Sequence, residues 1–318
     1  MRDDDWRPSA STETLVARAQ TLIEVRAFFA RRGVLEVDTP ILSRTTVTEP
    51  AIDSLSLGDG AERRYLQTSP EYHMKRMLAA GAPSIVRIGP VFRAEESGRL
   101  HNPEFTMVEW YRRGFDLSQL IDEVAALVDL VLGAATARRV TYRQLLVEGA
   151  GIDPMHSTDA ELTDALLRCG VELSANADVT RRDLLDLLAN HAIEAMGSGR
   201  VFITDYPADQ AALARVTTDA NGFDVAQRFE LVIDGVEIAN GYDELLDARV
   251  LERRMHADVA VRARAGRKTP APDERLLAAM SHGLPRCSGV ALGFDRLLML
   301  KLGFERIDAV LPFSFARS

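Results

Sequence analysis

Arg93 is the first residue in the sequence that points to chemistry. It ends an apolar run and is followed by a polar turn through Ser97, Gly98 and Arg99. A guanidinium with five fixed donors suits a phosphate or a carboxylate. The chain then returns as a strand from Glu104, where period-two alternation puts Phe105, Met107, Glu109 and Tyr111 on one face. A carboxylate and a phenol on a core-like face need partners, because burying them unpaired costs several kcal/mol, roughly 2–7 for a neutral group. A surface hairpin with ordinary charges is the alternative.

A second acidic group lies downstream. Asp234-Gly235 is a favoured two-residue hairpin turn between Phe229–Ile233 and Val236–Ala239. Counting back from the turn pairs Ile233 with Val236, Val232 with Glu237 and Glu230 with Ala239. Glu230 and Glu237 then share a face, close enough to bridge one hard cation. Two solvated acids on a sheet face remain the alternative.

Other elements must position these groups. Residues 12–32 read as an amphipathic helix with Leu15, Ala19, Leu22, Ile23 and Phe29 on one stripe, closed by Gly33. A strand follows and ends at Pro40. Ser69 is placed to cap a helix whose first position is Pro70, with Glu71 at its positive end. From Asp116 to about Met196 the pattern is mostly helical, with turns at Gly149–Pro154 and Ser174–Asp178. Val201–Pro207 reads as a buried strand. Val259 to Pro272 reads as an exposed loop, in which Arg262, Arg264, Arg267 and Lys268 are either ordinary solvated charges, the favoured reading, or a dock for an acidic partner. Ser288 to Gly293 is a glycine-spaced strand feeding a helix that carries Asp295 and Arg296.

Composition bounds the rest. With 318 residues, 47% hydrophobic and 27% charged, the chain has the balance of a soluble globular protein. No 18-residue apolar run and no signal peptide is present, and Cys169 and Cys287 form no framework, so a reduced cytoplasmic setting is expected. The net charge of −9 counts weakly against a nucleic-acid backbone as partner.

The order of these residues carries more than their spacing. Phe92-Arg93-x-Glu95, then His101-Asn102-Pro103-Glu104-Phe105-Thr106-Met107-x-Glu109-Trp110-Tyr111, resembles motif 2 of the class II aminoacyl-tRNA synthetases in its lysyl form. The helix with Gly33-Val34-x-Glu36-Val37-x-Thr39-Pro40 resembles motif 1, and Gly289-x-x-x-Gly293-x-Asp295-Arg296 resembles motif 3. The resemblance implies an α+β fold, a mostly antiparallel sheet flanked by helices. It also implies a single catalytic domain over 1–318 with a helical insertion over roughly 116–200, working as a homodimer. Adenylation is the implied chemistry: Arg93 and Arg296 act on ATP, Glu95, Asn102, Phe105, Glu237, Ile238 and Gly293 help hold it, and Glu230 with Glu237 hold Mg²⁺. Ser69, Glu71, Glu109, Tyr111, Asn240 and Glu244 would surround a dicationic, lysine-type amino acid, since an uncharged side chain would leave carboxylates unpaired.

Two departures from lysyl-tRNA synthetases narrow the expectation. Motif 1 begins near residue 33, which leaves no room for an N-terminal anticodon-binding domain, and Ala291 stands where those enzymes have glycine. Both departures match the stand-alone paralogue family that ligates (R)-β-lysine to elongation factor P, so that protein rather than tRNA is the implied acceptor. Ala94 inside Phe-Arg-x-Glu, where the family usually has Asn, is a local exception. A lysyl-tRNA synthetase-like ligase acting on tRNA or another carrier, or a non-catalytic regulatory paralogue, would share much of this pattern.

Overall fold

The computed structural model describes residues 6–94, 96–171 and 179–318. The chain forms two compact units, Met1–Ala134 with Leu245–Ser318, and Ala135–Glu244. The expected turn at Ser174–Asp178 lies outside the described residues. The fold class is α+β, with mostly antiparallel strands.

The first unit opens with helix α1 (Thr12–Arg31), capped by the Ser11 hydroxyl on the Thr14 N–H and closed past Arg32 by Gly33 at φ +67°. Its inward face is not the expected stripe. Thr14, Thr21, Val25, Phe28 and Phe29 are buried, whereas Ile23 is 66% and Val16 51% exposed. Ala19 is exposed and Leu15 and Leu22 are half-buried. The helix is rotated because its polar residues make interior bonds: Thr21 bonds the Ala17 carbonyl, and Arg18 reaches Asp295.

After α1 come β1 (Leu35–Glu36), β2 (Leu42–Ser43), β3 (Ser56–Leu57) and β4 (Arg64–Leu66), with β2 and β3 flanking β4 in a small sheet. Helix α2 (Glu71–Ala79) starts one residue later than expected, with Pro70 at the cap position. The Ser69 hydroxyl still takes the Glu71 N–H at 3.0 Å. Strands β5 (Ile85–Phe92) and β6 (Glu104–Arg113) form the antiparallel hairpin, with β1 parallel to β5. Helix α3 (Leu117–Leu132) follows, begun by an Asp116–Gln119 capping box.

The second unit adds β7 (Ala137–Thr141), α4 (Tyr142–Ala150), α5 (Asp159–Arg168), α6 (Arg181–Ala195), β8 (Arg200–Pro207), β9 (Val216–Thr218), β10 (Asp224–Ile233) and β11 (Val236–Asp243). The helical reading over 116–200 therefore missed β7, which pairs parallel with β8. Its charged, exposed Arg138 and Arg139 hide the strand pattern. Strand β10 pairs with β8, β9 and β11, and Leu146, Leu162, Leu166, Leu185, Leu188 and Ile203 form the core beside them.

The chain returns to the first unit through α7 (Ala248–Arg264), α8 (Glu274–Gly283), β12 (Cys287–Gly293) and α9 (Phe294–Lys301), with β12 antiparallel to β6. Phe29 packs edge-on to Trp110 at 5.0 Å between ring centres, anchoring α1 on the sheet. The expected exposed loop from Val259 is corrected: α7 continues to Arg264, and Arg262 is only 3% exposed. Arg262 and Arg267 are both paired with Asp53, so half of the supposed docking patch holds the chain together. Among the described residues Cys169 and Cys287 form no disulfide. Among the described residues no helix is long and apolar enough to cross a membrane.

Candidate active site

In the first unit β5 ends at Phe92, and the next backbone groups are fixed. The Arg93 N–H donates to the Pro103 carbonyl at 2.9 Å and the Ala94 N–H to the Asp53 carbonyl at 2.8 Å. The Arg93 guanidinium lies 5.3 Å from the Phe105 ring centre and makes a long 3.4 Å contact with Glu96. Its Nε is buried with no hydrogen-bond partner among the described residues. A buried donor left open is costly unless a ligand takes it, and this one points to an anion.

Arg296, in the first turn of α9, contacts the Leu100 carbonyl at 3.3 Å and the His101 ring at 2.7 Å. Gly293 sits at φ −75°, outside the left-handed region, and a Cβ there would rest against the Arg296 stem at 3.8 Å. Asn102 is engaged at both ends of its amide, donating to the Glu104 carbonyl at 2.6 Å and accepting the Phe315 N–H at 2.9 Å. Glu95 lies outside the described residues.

Between the strand and α9 is a clamp that the sequence reading missed. Asp295 is 1% exposed and accepts from Arg18 at 2.5 Å and from the Thr106 N–H at 2.6 Å. Arg18 also donates to the Thr106 hydroxyl at 2.7 Å. Burial pushes the Asp295 carboxyl upward, while Arg18 and the Thr106 N–H oppose the shift.

The acidic half of the unit centres on Glu109, 2% exposed. It accepts from the Ser69 hydroxyl at 2.7 Å and the Tyr111 hydroxyl at 2.8 Å. Burial and then the nearby Glu71 charge push its pKa up to about 7. Glu71 is paired with Lys75 at 2.5 Å, one turn along α2, and Lys75 is 2% exposed. Lys75 was missed, although an acid–lysine pair four residues apart on one helix was readable. Glu109 lies directly opposite Ala291 in β12 and Arg87 in β5, so the three side chains share a face.

The second unit carries the acidic hairpin. Asp234 and Gly235 adopt φ of +49° and +76°, the left-handed pair that an Asp-Gly turn needs. Ile233 pairs with Val236 and Val232 with Glu237 as expected, but a bulge shifts the next pairs, so Glu230 meets Asn240 rather than Ala239. The buried Ile238 takes the extra position. Strict alternation would put Glu237 and Asn240 on opposite faces; the bulge brings both to the Glu230 face.

Glu230 pairs with Arg228, whose Nε reaches the Asn240 oxygen at 3.3 Å and whose guanidinium lies 4.3 Å from the Tyr206 ring centre. Burial pushes Glu230 upward; Arg228 opposes this, and Glu237 adds repulsion. Glu244 is 1% exposed. Glu230 and Glu237, mutually repelling on one face, are the residues that would hold a hard cation, and Arg228 already offsets part of the Glu230 charge. Among the described residues no group of three or more His, Cys, Asp or Glu side chains is placed to hold a metal by itself.

A family model for class II tRNA synthetases (D, K and N) matches residues 2–317. The elongation factor P–(R)-β-lysine ligase of Vibrio vulnificus (strain YJ016) is 46% identical over 320 residues, covering 98% of each chain. The ligase of the same name from Vibrio cholerae serotype O1 is 44% identical over 328 residues, covering 100% of each, and that of Edwardsiella ictaluri is 43% identical over 98% of each. The likeness spans nearly the whole length of the chain and of these relatives, and the chain belongs to the class II tRNA synthetase family.

Proposed function

We propose that this chain activates (R)-β-lysine with ATP and transfers it to a lysine ε-amino group of elongation factor P. In the first step the amino-acid carboxylate attacks the α-phosphorus and pyrophosphate leaves. In the second the acceptor amine attacks the acyl carbon and AMP leaves. The first step brings two anions together, so the site must supply fixed positive charge and hold the reactants in line. Arg93, whose buried Nε has no partner among the described residues, serves both anions. Phe105 stacks against adenine and Arg296 closes over it. Mg²⁺ held by Glu230 and Glu237 would neutralise charge on the phosphates.

The observation that carries the choice of substrate is Glu109, buried and held by Ser69 and Tyr111. Desolvated carboxylates select a cationic guest, because an uncharged one leaves them unpaired. Glu71, Asn240 and Glu244 are the further ammonium-binding groups. The exposed Val16, Ile23 and Leu35 support a homodimer contact on the α1 side. The acceptor places the reaction in the cytoplasm.

ATP–pyrophosphate exchange with (R)-β-lysine and with α-lysine, followed by acceptor labelling with elongation factor P and with tRNA, tests this reading. Exchange favouring (R)-β-lysine and label on elongation factor P are expected. Label on tRNA alone, or exchange with neither isomer, would overturn it.

A further inference from the structure

Arg262 lies on α7, far in sequence from every residue assigned above, yet its guanidinium is almost fully buried. Nε donates to the Lys268 carbonyl at 2.6 Å, and one terminal nitrogen reaches the Glu49 and Ile52 carbonyls at 2.8 and 3.0 Å. The other terminal nitrogen pairs with the Asp53 carboxylate at 2.5 Å. Arg267 adds contacts to the Pro50 carbonyl at 3.0 Å and to Asp53 at 3.3 Å. Thr48 is tied to Asp258 of the same helix at 3.1 Å, and Thr45 to Asp273. Residues 45–53 carry no regular structure of their own and are held by side chains from α7 and the start of α8.

That segment ends at the residue whose carbonyl receives the Ala94 N–H at 2.8 Å, immediately after Arg93. Beyond the end of β5, Arg93 is fixed on one side by its own N–H on Pro103 and on the other by this bond to Asp53. We propose that Arg262 is a positioning residue for adenylation: it locks residues 49–53 so that the Asp53 carbonyl holds the strand end from which Arg93 reaches the reacting anions. A lysine can replace the charge but not the fork, since an ammonium is a point donor that cannot span three carbonyls and a carboxylate. The proposal rests on the role given to Arg93 above.

The test compares Arg262→Met and Arg262→Lys with Arg264→Met, a control on the exposed side of the same helix. Exchange rates are taken per active site by burst titration, with KM for ATP and for the amino acid and a thermal midpoint for each variant. Arg262→Met should lose tenfold or more in kcat and raise KM for ATP and for the amino acid together, because Arg93 serves both anions. Arg262→Lys should recover part of kcat, and Arg264→Met should match the parent. A purely structural role would lower the midpoint and the active fraction while leaving the constants per active site unchanged. That result in Arg262→Lys alone is enough to overturn the proposal if Arg262→Met does not fold. A parent without exchange removes the functional reading and this one together; an active parent with unaltered variants removes only this one.

Discussion

The carboxylate of Asp295 receives the backbone N–H of Thr106 at 2.6 Å, across 189 positions of sequence. Thr106 follows Phe105 and Asp295 precedes Arg296, so one bond fixes the spacing of the two residues proposed to sandwich adenine. Arg18 completes the contact from α1, binding both the Asp295 carboxylate and the Thr106 hydroxyl. The helix that carries the proposed dimer face is thereby linked to the nucleotide end of the site.

Asp295→Ala should therefore destabilise the protein and weaken ATP binding together. Removing one partner of a buried ion pair leaves the other charge uncompensated, a cost of about 3–5 kcal/mol. Asp295→Asn keeps an acceptor for the Thr106 N–H and should cost less. Denaturant unfolding gives the stability, and KM for ATP in the exchange assay gives the second effect. A destabilised Asp295→Ala with unchanged KM for ATP would disconnect the clamp from the nucleotide.

Glu109 predicts a pH dependence. Its folded pKa of about 7 stands above the ordinary 4.5, so the folded protein holds this proton more tightly than the unfolded chain. The unfolded chain ionises first as pH rises, so this group's contribution to stability falls between about 4.5 and 7 and is then constant. Recognition of an ammonium runs the other way, since it needs the ionised carboxylate. The kcat/KM for the amino acid should rise roughly tenfold from pH 6 to pH 8, following the ionised fraction of one acid near 7. Glu109→Gln should be slow and flat over that range; a profile of parent shape in the variant would assign the ionisation elsewhere.

Burial sets where that profile lies, and Lys75 adjusts it. Its ammonium pulls the Glu109 pKa down while Glu71 pushes it up. Lys75→Met removes the pull and leaves Glu71 without the partner at 2.5 Å. The midpoint of the kcat/KM profile should move above that of the parent, whereas Lys75→Arg, which retains the charge, should shift it less. A midpoint that stays put in Lys75→Met would mean Lys75 serves packing alone.

Local patterns in the chain made part of this site legible. Alternation around Glu109 put it on one face with Phe105 and Tyr111, and Asp234-Gly235 fixed the turn and its first two pairs. The bulge at Ile238 left no such trace, because an extra residue in one strand depends on the partner strand as much as on its own sequence. The α1 face was misread for a related reason. Arg18 and Thr21 turn inward to bonds with Asp295 and Lys301, which lie far along the chain, and hydrophobic periodicity cannot register such partners. Arg262 looked like surface charge by composition, and only its four acceptors show otherwise.

Ala291 gives the test of which lysine isomer the site accepts. It stands directly across the β6–β12 ladder from Glu109, so its methyl and the carboxylate project from the same face as neighbours. Ala291→Gly removes that methyl and enlarges the space beside the ammonium-binding acid. A carbon-sized change in a fitted pocket is worth about 1–3 kcal/mol between competing substrates. The ratio of kcat/KM for α-lysine to that for (R)-β-lysine should rise about tenfold or more on that scale, while Ala291→Val should lower both values. Glycine in a strand also costs roughly 0.5–1 kcal/mol of stability, but that loss falls on both substrates equally and cancels in the ratio. Exchange kinetics with the two isomers give the answer, and a ratio within twofold of the parent would mean that the methyl opposite Glu109 does not touch the bound amino acid.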